Sequence, residues 1–576
     1  MSDEAADILS EFEGLQTNTS VEQESRDRAL AAERLLDETN FDEQGYLRLN
    51  PDVADSIRRG EFESGYQHYV LHGFREGRNT PGASQEPRNR LLRPTAAPEA
   101  MPIVEAAFNV EAVVASSTGG IFIVGWIDDT ASPLIALRIG SPHWRVVLDR
   151  TSMIRIRRGD VENALGRQTV HRYGFIGFVY TDEKLENTGN VIVHAWLHNG
   201  AQLQSQTQCQ PAPEVELRNI LLTRLASADF HGNPGVERIA CLDGGLGDQI
   251  VAFNRAMTRR LVANPYVERF GQSTRKPRGS IVVALYGKAE YLYAQNALFS
   301  GLPGIEDYEF IYVSNSPELG ETLMREARIG SLVYDVAQTI MVLPGNAGFG
   351  AANNVAVSAA RSLRILNVNP DVFPRDPAWA AKHTAVVEAG GAGTQLFGVP
   401  LYYDDGSLMH GGMYFDADEA ISIVGGNLTR RRMLRVEHYG KGAPPDGTEF
   451  LRERPVPAVT GAFISSQRDW FEKLGGFTED FVFGHYEDAD LCLKSLEQGV
   501  PVWLKDIRLW HFEGKGSTRL PPHEGGSIVN RWLFSRRWDA VVCKDLLGPE
   551  PTNPLFSAGA PDAGAPDADA ASRGDA

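Results

Sequence analysis

The chain has 576 residues, of which 42% are apolar and 23% charged, and its formal net charge is −19 at pH 7. That length admits three or four domains and a sizeable core. The acidic balance, with no basic stripe interleaved with aromatics, excludes a general nucleic-acid binder. Four scattered cysteines (Cys209, Cys241, Cys492 and Cys543) lack C-x-x-C spacing, which suits a reducing compartment better than a disulfide framework or a zinc site. The first residues lack the basic and apolar regions of a signal peptide, and no apolar run is long enough to span a bilayer. The expectation is a cytoplasmic protein, with peripheral contact to the inner membrane left open.

In chain order, residues 1–34 are acidic and polar and read as a disordered N-terminus. Residues 35–78 read as a small helical module. Asp42 and Ser64 stand as N-caps, Pro51 as a first helical residue and Gly73 as a stop. Its expected core is Phe41, Tyr46, Leu47, Val53, Ile57, Tyr66, Tyr69 and Val70, and the module's Tyr/His stripe suits packing better than sugar contact. Residues 79–105 are a linker by composition. Over 106–215, short β-branched and aromatic runs (121–127, 134–139, 145–148, 174–180, 190–196) predict an antiparallel β-sandwich. Its Trp126, Trp144 and Trp196 suit carbohydrate stacking, interior packing or a homo-oligomer contact. Residues 216–277 read as a helical connector. Within it, Asp243-Gly-Gly-Leu-Gly-Asp-Gln249 has no Lys-Ser/Thr after it and no apolar strand before it. A tight turn before a helix is the expected reading, not a phosphate loop.

From residue 278 the pattern alternates. Apolar runs at 280–285, 309–313, 339–343 and 363–368 are separated by helical segments at 288–300 and 318–329 and by one opening at Gly348. This predicts an open α/β sheet whose ligand binds at the carboxyl ends of the strands. The runs Asn346-Ala-Gly-Phe-Gly-Ala-Ala-Asn-Asn354 and Leu366-Asn-Val-Asn-Pro-Asp371 are followed by Pro400–Gly412, Val459-Thr-Gly-Ala-Phe463 and Leu474–Phe481. Last come Tyr486-Glu-Asp-Ala-Asp-Leu491 and Trp510-His-Phe-Glu-Gly-Lys-Gly-Ser517. In order and spacing these segments resemble the signatures of inverting family 2 glycosyltransferases of the GT-A fold, bacterial enzymes with a Rossmann-like open mixed sheet. The catalytic domain is set at 278–548, followed by a disordered tail over 549–576. The N-terminal module also resembles one found ahead of some bacterial glycosyltransferases.

The resemblance implies single-displacement transfer of a sugar from a nucleotide-diphosphate donor to a hydroxyl of a glycan, lipid-linked or protein acceptor. It implies a divalent metal, Mn or Mg, to offset charge on the leaving diphosphate. Asp371 stands where the family's D-x-D motif stands and His511 where its second ligand stands. Asp488 is implied as the base that takes the acceptor proton, with Glu487 orienting it or binding acceptor hydroxyls; Asp490 serves the helix terminus. Tyr286, Asn315, Gly348, Phe349, Asn353, Asn369, Thr460, Gly461 and Lys515 are implied on the donor side. Two departures stand out: Asn315 replaces the usual Asp after the second strand, and Asn369 replaces the first Asp of D-x-D. His410 reads as strand-end packing, and the basic run Thr429–Arg435 as solvated charge, or else a receiver of an anionic acceptor or membrane surface. The competing reading is a non-catalytic scaffold that binds carbohydrate or nucleotide sugar. Turnover separates the two.

Overall fold

The computed structural model describes residues 42–58, 64–68, 108–166, 171–185, 189–228, 234–271, 276–391, 393–424, 427–514 and 520–556. The expected disordered N-terminus, the linker, Lys515 and the end of the tail lie outside the described residues.

In the helical module, Asp42 caps the helix Glu43–Leu49 by accepting from Gly45 N at 2.9 Å, and Pro51 opens the helix Pro51–Arg58. Tyr46 and Val53 are buried, with Leu47, Ile57 and Tyr66 packed on them. The Tyr46 hydroxyl and His68 Nδ1 are 3.1 Å apart, so these two rings face each other inside the module. Phe41, Tyr69, Val70 and Gly73 lie outside the described residues.

The second unit is built from β1 (Phe108–Ala115), β2 (Gly120–Ile127), β3 (Leu134–Gly140), β4 (Arg145–Asp149), β5 (Met153–Ile156), β6 (Gly174–Tyr180), β7 (Asn190–Leu197) and β8 (Gln202–Pro211). They form one eight-stranded sheet in the order β4-β3-β7-β8-β1-β2-β6-β5. Neighbours are antiparallel except β1 and β8, which run parallel. β4 and β5 sit at opposite ends of that order, yet only Arg150–Ser152 join them. Three residues span about 10 Å, roughly the separation of two stacked sheets. The sheet therefore folds over on itself around a core that includes Val113, Ile123, Leu137, Trp144, Phe175 and Val193. Trp144 is a core residue, while Trp126 and Trp196 are half-buried on β2 and β7, with β8 and β1 between them.

The connector holds α1 (Glu214–Ser227), a helix over Pro234–Cys241 and α2 (Gly247–Val262), but Tyr266–Phe270 is a strand, β9. The glycine-rich stretch is a widened helical turn, with Gly245 at φ 117°. It is a docking knot. Gly244 O accepts from the Thr151 and Ser152 hydroxyls, each at 3.1 Å, and Asp243 accepts from Trp532 Nε1 at 2.8 Å and pairs with Arg431 at 3.0 Å. A Cβ on Gly247 would stand 2.4 Å from the Trp532 ring, so only glycine permits that approach. Phe122, Ile154 and Phe178 of the β-unit share a core with Leu217, Phe253, Val529 and Trp532.

The α/β half contains β10 (Gly279–Leu285), α3 (Glu290–Phe299), β11 (Tyr308–Ser314), α4 (Gly320–Tyr334), β12 (Gln338–Val342), α5 (Phe349–Val357) and β13 (Arg364–Val368). It continues with β14 (Val372–Pro374), β15 (Leu396–Gly398), β16 (Leu401–Tyr402), β17 (Leu408–His410), β18 (Met413–Val424), β19 (Asn427–His438), β20 (Arg454–Val456) and β21 (Phe463–Gln467). It closes with α6 (Glu487–Glu497), β22 (Val502–Leu504), β23 (Leu509–His511) and α7 (Pro521–Asp545). The main sheet is mixed, in the order β20-β22-β15-β21-β13-β10-β11-β12-β9, with β13, β10, β11 and β12 parallel. β10 and β11 are apolar and buried on both faces, as strands between two helical layers must be. From β10 the chain adds β11 and β12 on one side and β13 on the other. That reversal opens a crevice beyond the carboxyl ends of β10 and β13.

A small sheet, β14-β23-β16-β17, lies beyond that edge, and β18 and β19 form a long hairpin. The basic run on β19 is engaged: Arg431 pairs with Asp243, Arg432 with Asp539 and Arg435 with Asp416. Residues 549–556, read from composition as part of the tail, include a helical turn over Pro554–Phe556, and Asn553 N donates to Asp545 O at 3.0 Å. Among the described residues, no helix is long and apolar enough to cross a membrane.

Candidate functional site

After β13 the chain turns at Asn369-Pro-Asp371. Asn369 N donates to Ala462 O at 2.9 Å and Val372 N to Asn369 O at 3.2 Å. β14 then pairs antiparallel with β23, setting Val372 opposite His511, and Phe512 N donates to Asp371 O at 3.1 Å. This register brings His511 Nε2 to 3.4 Å from Asp371 Oδ1, with both side chains buried. His511 Nδ1 is buried with no hydrogen-bond partner among the described residues. Two donors at that separation can share one cation, because metal–ligand bonds of about 2.1 Å at near-octahedral or tetrahedral angles span about 3.0–3.5 Å. No cluster of three or more His, Cys, Asp or Glu suited to a metal occurs among the described residues. The pair therefore fits a cation that takes its remaining oxygens from phosphate and water.

Glu487 and Asp488 open α6, where the helix dipole favours negative charge. Asp488 is half-buried and accepts from Gly461 N and from Ala489 N, each at 2.8 Å. Burial pushes its carboxyl above the usual value, and the Gly461 and Ala489 N–H groups oppose the shift. Glu487 is 6% exposed, and its Oε2 is buried without a partner among the described residues. Burial first, and the Asp488 charge second, push its carboxyl well above the ordinary range. A carboxylate whose pKa is raised by burial is better suited to accept a proton than an ordinary surface carboxylate. Asp490 serves the fold: it is fully buried, accepts from Thr478 Oγ1 at 2.6 Å and Trp538 Nε1 at 2.9 Å, and ties α6 to α7.

Two backbone contacts link the turn that carries Asp371 to the helix that carries Asp488. Gly461, which donates to Asp488, is followed by Ala462, which accepts from Asn369. A Cβ on Gly461 would lie 3.3 Å from the Phe349 ring and 3.4 Å from Asp488 Cβ, so the cleft wall is close-packed there. Thr460 is half-buried, its hydroxyl accepting from Ala462 N at 3.3 Å. Tyr286 follows β10, half-buried, with its ring 5.6 Å from that of His523.

Two implied donor residues turn inward instead. Asn315 spends its amide on the glycine loop, donating to Gly348 O at 3.2 Å and accepting from Ala347 N at 3.0 Å. Asn353 is 1% exposed, donates to Phe349 O at 2.9 Å and accepts from Asn367 at 3.0 Å. Both are internal braces whose polar atoms are already matched. Gly348, at φ 89°, and Phe349 lie against Phe483, whose carbonyl accepts from Phe349 N at 2.5 Å. Three non-glycine residues just before the carboxylates (Phe483, His485 and Tyr486) have positive φ, a strain of about 1–3 kcal/mol each.

His410 Nδ1 lies 3.1 Å from His438 Nδ1, and His410 is fully buried. Burial pushes His438 down to about 4 and His410 well below its usual value, so both are neutral neighbours of His511. Arg218 and Asn530 also reach the loop before the carboxylates. Nothing local flags Arg218; Asn530 stands out only as a polar residue within the apolar face of α7.

No family model matches the chain. It is 28% identical over 265 residues to the uncharacterized protein y4gI of Sinorhizobium fredii, covering 46% of this chain and 28% of that one. It is 26% identical over 271 residues to the O-antigen biosynthesis protein RfbC of Myxococcus xanthus, covering 46% of this chain and 18% of that one. The chain thus spans less than a third of either relative's length. Similar solved structures include a mannosyltransferase of Pyrobaculum calidifontis in complex with GDP-Man and Mn²⁺, at 15% identity and a TM-score of 0.29, covering 54% of this chain and 87% of that one.

Proposed function

We propose that the protein is an inverting glycosyltransferase that moves a sugar from a nucleotide-diphosphate donor to a hydroxyl of a cell-surface glycan, lipid-linked or protein acceptor. The acceptor oxygen bonds to the anomeric carbon as the bond from that carbon to the diphosphate breaks, and Asp488 takes the hydroxyl proton. Glu487, whose carboxyl burial pushes well above the ordinary range, orients Asp488 or binds acceptor hydroxyls. Asp371 and His511 would hold a divalent cation, which supplies positive charge for the departing diphosphate. Thr460, Gly461, Gly348 and Phe349 line the donor side, together with Tyr286 and Asn369.

The single observation that carries the reading is the approach of His511 Nε2 to Asp371 Oδ1, at 3.4 Å, beyond the strand end whose neighbour presents Gly461 to Asp488. The similarity to RfbC supports an acceptor of the polysaccharide class. The test is nucleoside diphosphate release from a panel of UDP-, GDP- and dTDP-sugars, with and without Mn²⁺. Metal-dependent release from one nucleotide class is expected. Nucleotide-sugar binding without turnover anywhere in the panel would sink the enzyme reading in favour of a binding scaffold.

A further inference from the structure

Phe483, His485 and Tyr486 have φ of 61°, 87° and 76°, and they lead directly into Glu487 and Asp488. Side chains with a Cβ leave that region unless their surroundings over-determine it. Contacts from three separate elements do so. From α7, the fully buried Asn530 accepts from Val482 N at 2.7 Å and donates to Val482 O at 2.9 Å, Gly484 O at 2.7 Å and His485 O at 3.3 Å. From the start of α5, Phe349 N donates to Phe483 O. From α1, the buried guanidinium of Arg218 lies 4.2 Å from the Phe483 ring centroid. All three anchors sit on helices and none on a strand, and Arg218 comes from the connector, so the sheet alone does not hold the segment.

We propose that Asn530 is a positioning residue for the Glu487 and Asp488 carboxylates. It locks the left-handed segment before α6 and so makes the C-terminal helix part of the functional unit. Without it, Val482 N and three carbonyls lose their shared partner, and the backbone is released toward ordinary φ. Asp488 then loses its register with Gly461 N. The effect on turnover rests on the glycosyl-transfer reading; the lock does not.

Hydrogen–deuterium exchange and donor hydrolysis on the full chain test the two parts separately. Asn530→Ala should raise exchange across 482–490 at least about tenfold while leaving β10–β12 within about twofold. It should lower kcat at least about tenfold with KM and Mn²⁺ affinity nearly unchanged. Asn530→Asp keeps an acceptor for Val482 N but cannot donate to the carbonyls, and should move both readouts the same way. Ser535→Ala is the control on the same helix: it removes the hydroxyl that accepts from Leu434 N at 2.9 Å and should leave exchange across 482–490 unchanged. A uniform rise in exchange, an unchanged 482–490 peptide, or loosened exchange with full turnover each overturns the proposal. A wild type that hydrolyses no donor overturns the glycosyl-transfer reading, and the exchange comparison alone then decides the lock.

Discussion

His511 Nε2 and Asp371 Oδ1 stand 3.4 Å apart because β23 returns to pair with β14, the strand that begins one residue after Asp371. A buried carboxylate and a buried imidazole held this way form a two-donor site that a cation can join. Asp371→Ala and His511→Ala should each weaken Mn²⁺ affinity at least about tenfold, read by titration calorimetry with a nucleoside diphosphate present. Unchanged affinity in both variants would remove the pair from consideration as ligands.

Asp488 is the group assigned the acceptor proton, and its oxygens already accept from Gly461 N and Ala489 N. Asp488→Asn keeps a side chain that can accept from Gly461 N but is no base. Turnover should fall by about 10²–10⁴ with nucleotide and metal binding retained. Full turnover in this variant would exclude Asp488 as the base.

Glu487 makes the folded state bind a proton that the unfolded chain has released. Its folded pKa lies well above 4.5 through burial, so its favourable contribution is complete below the unfolded value and is lost as pH rises through the folded one. Glu487→Gln should flatten that decline and raise stability on the alkaline side, read by urea unfolding across a pH series. An unaltered profile would show that Glu487 ionises normally.

His383 works in the opposite sense. Burial, and then Arg364, push it down to about 3, and it is bridged by Tyr308 Oη at 2.7 Å and Ser465 Oγ at 2.8 Å. The unfolded imidazole takes up a proton near 6.5 while the folded one does not. Stability should therefore fall as pH drops from 6.5 toward 3, by up to about 1.4 kcal/mol per pH unit for this group. His383→Asn should remove about one proton from the slope in that window, and an unchanged slope would contradict the assignment.

Gly247 of the connector packs closely against the Trp532 ring of α7. Gly247→Ala forces its new Cβ into the ring and should cost about 1–3 kcal/mol, seen as a lowered thermal midpoint. A midpoint equal to wild type would mean that this contact yields freely.

Much of this was written in local pattern. The apolar runs of β10 to β13 announce themselves by composition, and the caps of the first helices by Asp42 and Pro51. Glu487, Asp488, Asp371 and His511 are singled out as candidates by the resemblance of their segments to family signatures. β8 could not be read as a strand, because Gln202, Gln204, Gln206 and Gln208 alternate with few apolar residues and pairing with β7 and β1 supplies its order. β9 is short and exposed, and becomes a strand by borrowing hydrogen bonds from β12.

Side-chain direction was the other unknown. Asn315 and Asn353 sit in the right motifs but point into the protein, where Ala347, Gly348, Phe349 and Asn367 already match their amides. Arg218 and Asn530 reach the segment before Glu487 from helices remote in the chain. Residue identity and hydrophobic period are local properties, and together with the family resemblance they single out the candidate residues. Which groups face one another depends on hydrogen bonds and packing between distant segments, and those exist only once the sheet, the β-unit and the last helix have closed together.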